Sequence, residues 1–151
     1  MSKVDLRSGL IDVGIVELRP GLEEGSFLAA VANDARPLVH NGAHRSYVLP
    51  KVSLGGREFR PSAYFSNGCI TSVHLTWADP TTEGGSAWEN HSFERERVIA
   101  TEDAKWLATV LEGKGSLTDS YTFAWGTVWS GLDQRGGFSL VALRYSEAQR
   151  C

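Results

Sequence analysis

Residues 57–78 constrain the fold more tightly than any other part of the chain. Phe59, Ala63 and Phe65 share one side of a first extended arm, and Cys69, Val73, Leu75 and Trp77 share one side of a second, because successive strand side chains point to opposite faces. A β-hairpin that lays both apolar rows on one face has to sit against a core. Turn length sets its register. A two-residue Asn67-Gly68 loop with regular pairing sets Phe65 opposite Ile70 and throws the two rows onto opposite faces. A three-residue loop, Ser66-Asn67-Gly68, pairs Phe65 with Cys69 and Phe59 with Leu75 and keeps the rows together, so it is the expected turn, with Gly68 left-handed. Pro61 lacks an N–H, so the first arm is either an edge strand or places Pro61 where it donates nothing to the ladder.

Other segments supply the remaining elements. Residues 11–18 are rich in β-branched side chains and stop at Arg19-Pro20-Gly21, which predicts a strand and a turn. Residues 22–32 place Phe27, Leu28 and Val31 at helical spacing behind Glu23 and Glu24, acids that favour a helix N-terminus. Residues 33–42 are expected to be loop, 44–49 a short strand, and 79–87 a Pro/Thr/Gly-rich connection. Over residues 92–112, Phe93, Ala100, Ala104, Leu107 and Leu111 form a helical stripe with Ile99, Trp106 and Val110 beside it, and Gly113 stands where the helix should stop. Thr101-Glu102-Asp103 also resembles a fresh helix start, so a break near Thr101 is the alternative. Residues 121–130 alternate, with Tyr121, Phe123, Trp125 and Trp129 on one side and Thr122, Ala124, Gly126 and Ser130 on the other. Asp133 to Gly136 suits a type I turn into a returning strand over 138–145. The expectation is a single α+β domain over residues 1–151, a mostly antiparallel sheet of about five to six strands with two helices (22–32 and 92–112) on one face. If the other face is open, Thr122, Ser130, Ser72, His74 and Thr76 should line it.

Composition narrows the function classes. With 42% hydrophobic and 22% charged residues among 151, the chain has ordinary globular usage rather than that of a disordered segment. Sixteen glycines and five tryptophans suit an aromatic-rich sheet with tight turns. No basic stretch leads into a long apolar run near the start, and no window approaches about eighteen apolar residues, so neither a secretory signal nor a membrane span is expected. Two cysteines, Cys69 and Cys151, argue against a disulfide framework and for a cytoplasmic location, with Cys69 a small buried hydrophobe. The net charge of −3 is concentrated: residues 79–113 carry Asp79, Glu83, Glu89, Glu94, Glu96, Glu102, Asp103 and Glu112 against Arg95, Arg97 and Lys105. No lysine- or arginine-rich stripe is present, which argues against nucleic acid as a partner.

Motifs for bond-making chemistry are lacking. His40 and His44 have metal-like spacing, but the intervening Asn41-Gly42-Ala43 is turn-forming, so no metal or other cofactor is expected. There is no Gly-x-Ser-x-Gly elbow and no phosphate-binding glycine loop. Glu94 and Glu96 are better explained as a charged helix face than as an acid-base pair. The aromatic row Tyr121, Phe123, Trp125 and Trp129 is expected to pack in the core rather than stack on bases.

Lys105-Trp106-Leu107 ending a helix, then residues 123–130 (Phe-Ala-Trp-Gly-Thr-Val-Trp-Ser), then Asp133-Gln134-Arg135-Gly136-Gly137 and a strand ending Leu143-Arg144-Tyr145, resemble the layout of small bacterial immunity-type proteins of toxin-immunity systems. The resemblance covers about a third of the chain. It implies a non-catalytic cytoplasmic protein, monomer or homodimer, that neutralises a cognate toxin by binding it, often through an acidic surface. Glu83, Trp88, Glu89, Glu94, Glu96, Glu102 and Asp103 are the expected contact residues, facing a basic toxin domain. The alternative is a small-molecule-binding or hydrolytic enzyme with a pocket between the sheet and residues 79–113, using His91 or His74 with Glu94.

Overall fold

The computed structural model describes residues 2–78, 93–111, 120–133, 138–149 and 151. Among these residues eleven strands and two α-helices follow one another as β1 (Lys3–Asp5), β2 (Leu10–Asp12), β3 (Glu17–Leu18), α1 (Glu24–Val31), β4 (Arg36–Asn41), β5 (His44–Val48), β6 (Val52–Leu54), β7 (Arg57–Ser66), β8 (Cys69–Trp77), α2 (Phe93–Val110), β9 (Ser120–Phe123), β10 (Gly126–Asp133) and β11 (Phe138–Tyr145). They form an α+β fold with two antiparallel sheets. One has three strands in the order β1-β2-β3; the other has eight, in the order β4-β5-β7-β8-β11-β10-β9, with β6 also paired to β7. The strand number exceeds the expected five to six because two segments expected to be single strands, 11–18 and 121–130, are hairpins, and because β1, β4 and β6 form where no strand was expected.

The central hairpin β7–β8 solves its register problem differently from the expectation. Its loop is the two-residue Asn67-Gly68, both residues left-handed at φ 52° and 79°, and Phe65 does stand opposite Ile70. A bulge between Tyr64 and Phe65 then absorbs Thr71, so that Ala63 meets Val73, Pro61 meets Leu75 and Phe59 meets Trp77. The extra residue restores the phase, and Phe59, Ala63, Phe65, Ile70, Val73 and Leu75 are all buried. One-sided burial was the correct demand, but a bulge met it rather than a longer turn. Pro61 lies in an interior strand, not at an edge. Its carbonyl accepts from the Leu49 N–H, and a strand residue's N and O point the same way, so the missing donor faces the break between β5 and β6.

Two other hairpins went unseen in the sequence. The expected strand over 11–18 turns back between β2 and β3, where the Asp12 carboxylate accepts from the Gly14 N–H at 2.9 Å and Val13 donates to Val16. The expected strand over 121–130 turns at Ala124-Trp125, pairing Gly126 with Phe123 and Val128 with Tyr121. Gly126 is required there: at φ 149° a Cβ would lie 2.0 Å from the Arg144 carbonyl oxygen. The turn inverts the phase of everything after it, so Ser130 joins the buried side with Val128 and Trp129 moves to the other. Residues 36–41, expected to be loop, are the exposed edge strand β4, pinned by the β5 hairpin through Gly42-Ala43.

One face of the large sheet is covered, and the main apolar cluster packs against it. α1, shorter than its expected 22–32, packs Phe27 against Tyr47 and Phe65, with ring centroids 5.3 and 5.0 Å apart. α2 sets Trp106 edge-on to Phe59 at 4.8 Å and donates its indole N–H to the Leu54 carbonyl. The small sheet closes the far end: Trp125 Nε1 donates to the Leu6 carbonyl and the Tyr145 hydroxyl to the Gly9 carbonyl, each at 2.8 Å. A single apolar cluster runs through all of these elements. Burial of each such phenylalanine or leucine contributes about 1.5–3 kcal/mol. Cys69, expected to be a free thiol, is bonded to Cys151 across 82 residues of sequence. Disulfides belong to oxidising compartments, so the cysteine usage no longer argues for a cytoplasmic location. No helix among the described residues is long and apolar enough to cross a membrane.

Candidate functional site

The acidic residues expected to form a contact surface divide into three groups. Glu94 and Glu102 are exposed on α2, and Glu102 lies 3.4 Å from Lys105. Glu96 and Asp103 point inward, 6% and 0% exposed, and cannot belong to an exposed acidic face. The buried stripe of α2 is Glu96, Ile99, Asp103, Trp106, Leu107 and Leu111, displaced from the expected one and including these two carboxylates. Glu83, Trp88 and Glu89 lie outside the described residues, as do His91, Gly113 and, beyond Asp133, the residues of the turn expected over 133–136.

Both inward acids hold the fold. Glu96 accepts from the Ser139 N–H at 2.8 Å and the Ser139 hydroxyl at 3.2 Å, tying α2 to β11. Asp103 takes two guanidinium contacts from Arg57, at 3.1 and 3.0 Å, both on Oδ1, while Oδ2 is buried with no partner. The Arg57 guanidinium in turn lies 5.0 Å from the Trp77 ring centre. Burial pushes the Asp103 carboxyl up to about 6, against the opposing pull of Arg57. α2 does not break at Thr101, whose hydroxyl donates to the Arg97 carbonyl one turn back.

The histidines are not brought together. The tight turn of β4–β5 pairs His40 with Arg45 and His44 with Asn41, which sets the two imidazoles on opposite faces. Among the described residues no group of three or more His, Cys, Asp or Glu side chains is placed to hold a metal. His74 alternates with Val73 and Leu75 and faces away from the core, whereas Glu94 stands on α2, which packs on the core side. The sheet therefore separates His74 from Glu94, whereas the other pairing of the enzymatic alternative, His91 with Glu94, involves a residue outside the described ones.

Among the described residues no helix or second sheet covers the other face of the large sheet, and polar side chains gather there instead. A groove of about 690 Å³ crosses it, lined by His44 from β5, Ser66 from β7, Ser72 and His74 from β8, Leu140, Ala142 and Arg144 from β11, and Thr127 and Trp129 from β10, with the bulge residue Thr71 at one end. Register places these groups: Arg144 stands between Ser72 and Thr127, and Ala142 between His74 and Trp129. The His74 ring packs on Tyr64, centroids 4.4 Å apart. Of the residues expected on an open face, Ser72 and His74 line this groove, Thr76 and Thr122 are exposed, and Ser130 is buried. Trp129, Thr127, Arg144 and His44 were missed as site residues. Alternation in 138–145 carried a signal for Arg144, since Leu140, Ala142 and Arg144 fall opposite the apolar Val141, Leu143 and Tyr145. Trp129 and Thr127 had no such signal, because the unseen turn at Ala124-Trp125 reverses their side. Compared with family models, with curated proteins and with solved structures, the chain matches none of them.

Proposed function

We propose that this chain is a non-catalytic protein-binding domain, of the immunity type that its C-terminal half resembles, and that it engages its partner with the uncovered face of the large sheet. One observation carries the reading: side chains from five strands converge there on a broad groove that mixes an indole, imidazoles, a guanidinium and hydroxyls. Such a mixture is the composition of recognition surfaces, where aromatic and arginine side chains supply anchors and hydroxyls supply adaptable hydrogen bonds. The sheet beneath is held by the core on its other side, so the groove is preorganised and binding costs little ordering entropy. The exposed Glu94 and Glu102 remain a second, smaller candidate surface for a basic partner.

Co-expression with the products of adjacent genes tests the reading, scored by growth rescue and co-purification. Ala142→Trp fills the groove and should abolish both, with circular dichroism unchanged. The double variant Glu94→Lys/Glu102→Lys on α2 should keep both. The opposite pattern would transfer recognition to α2, and failure of every neighbour to bind or be neutralised would remove the proposal.

A further inference from the structure

The uncovered groove has a charge character opposite to that of the chain as a whole. Net charge is −3, yet among the described residues the lining side chains include Arg144, His44 and His74 and no carboxylate. Arg144 is exposed and forms no ion pair among the described residues. Its cross-strand neighbours are the hydroxyl residues Ser72 on one side and Thr127 on the other, close enough to share a ligand, since directly opposed Cβ atoms lie about 4.5–5.5 Å apart. Two residues along β11, Ala142 leaves a gap walled by His74 and Trp129.

We infer that this groove takes the carboxylate side chains of an extended, acidic segment of the partner protein, with Arg144 as the anchoring charge. The inference rests on the reading that the uncovered face is the recognition surface. A guanidinium binds a carboxylate through two parallel N–H bonds, and the flanking hydroxyls can donate to the oxygen lone pairs left over. The groove spans β5, β7, β8, β11 and β10; four strand spacings of about 4.8 Å give roughly 19 Å, the length of about six extended residues. A nucleic acid fits less well, because phosphate binding draws on clustered permanent charge, and Arg144 is the one permanent cation among the described lining side chains.

The test is fluorescence anisotropy with fluorescein-labelled hexaglutamate, hexalysine and hexathymidylate on the intact chain in roughly 50 mM salt, where surface charge is weakly screened. Hexaglutamate should bind, lose affinity as salt rises, and bind at least about tenfold more weakly to Arg144→Glu, with Arg144→Lys intermediate. Ala142→Trp should lose the probe, and Glu102→Gln should retain wild-type affinity. Arg144 is exposed, so its variants should keep the wild-type circular dichroism. Absence of hexaglutamate binding, equal affinity in Arg144→Glu, or preference for hexalysine or hexathymidylate overturns the inference. If Ala142→Trp still abolishes binding of the neighbouring gene product while hexaglutamate fails, the carboxylate assignment falls and the recognition surface stands. If hexaglutamate depends on Arg144 but Ala142→Trp leaves the neighbour bound, the proposed recognition surface falls instead.

Discussion

The two faces of the large sheet are built by alternating residues of the same strands and do opposite things. In β8, Val73 and Leu75 are fully buried, His74 between them is half-buried, and Thr76 is exposed. In β11, Val141 and Leu143 are buried to 0% exposure while Arg144 beside them is exposed. One face is covered by α1, α2 and the three-stranded sheet and holds the chain together; the other carries the groove. On the proposed function, the two faces divide stability from recognition: substitutions on the covered face should cost stability, and those on the other face should cost binding alone.

The largest expected effect tests the polar tie on the covered side. Arg57→Ala leaves the fully buried Asp103 without its cation, and loss of one partner from a buried pair costs about 3–5 kcal/mol. Urea unfolding measures it, and a loss under about 1 kcal/mol would show that the pair does not fasten α2 to the sheet. Next in size is a contrast between neighbours. Leu75→Ala should destabilise by about 3 kcal/mol through lost burial and a residual cavity, whereas Thr76→Ala, one residue on and on the other face, should stay within about 0.5 kcal/mol. Equal costs would break the division between faces.

The third effect is a dependence on pH. The Asp103 carboxyl is raised to about 6 in the folded chain from an ordinary value of 3.8. The folded state therefore holds this proton more tightly than the unfolded state. Asp103 contributes stability that is full below about 4 and is lost as pH rises through about 6, on the order of 3 kcal/mol. The difference between wild-type and Asp103→Asn unfolding free energies should change across that window and level off above it. A difference constant from pH 4 to 7 would show that the carboxyl is not perturbed.

Much of the fold could be read from periodicity. The β7–β8 hairpin, a helix over most of 92–112, the returning strand ending at Tyr145 and the location of Ser72 and His74 away from the core all follow from spacing. Three hairpin or bulge devices did not. The four-residue turn 13–16, the two-residue turn Ala124-Trp125 and the one-residue Thr71 bulge reverse or restore the phase of a strand, and none interrupts its hydrophobic pattern strongly enough to stand out. The acidic residues of α2 misled for a related reason: charge count does not reveal orientation. Glu96 and Asp103 lie on the inward face because Ser139 and Arg57, remote in sequence, supply partners that make their burial tolerable.

By itself, the sequence determined which side chains alternate in β7, β8 and β11 and that 24–31 and 93–110 are helical, because those follow from local backbone geometry and the period of apolar residues. Tertiary structure decided which of the two alternating sets would be covered, that Cys69 would meet Cys151, and that Arg144, Ser72, Thr127, His74 and Trp129 would share one groove. The physical reason is that each of these depends on strand order and register. A single inserted residue exchanges one face of a strand for the other, and pairings between β8, β10 and β11 bring together residues that no local pattern connects.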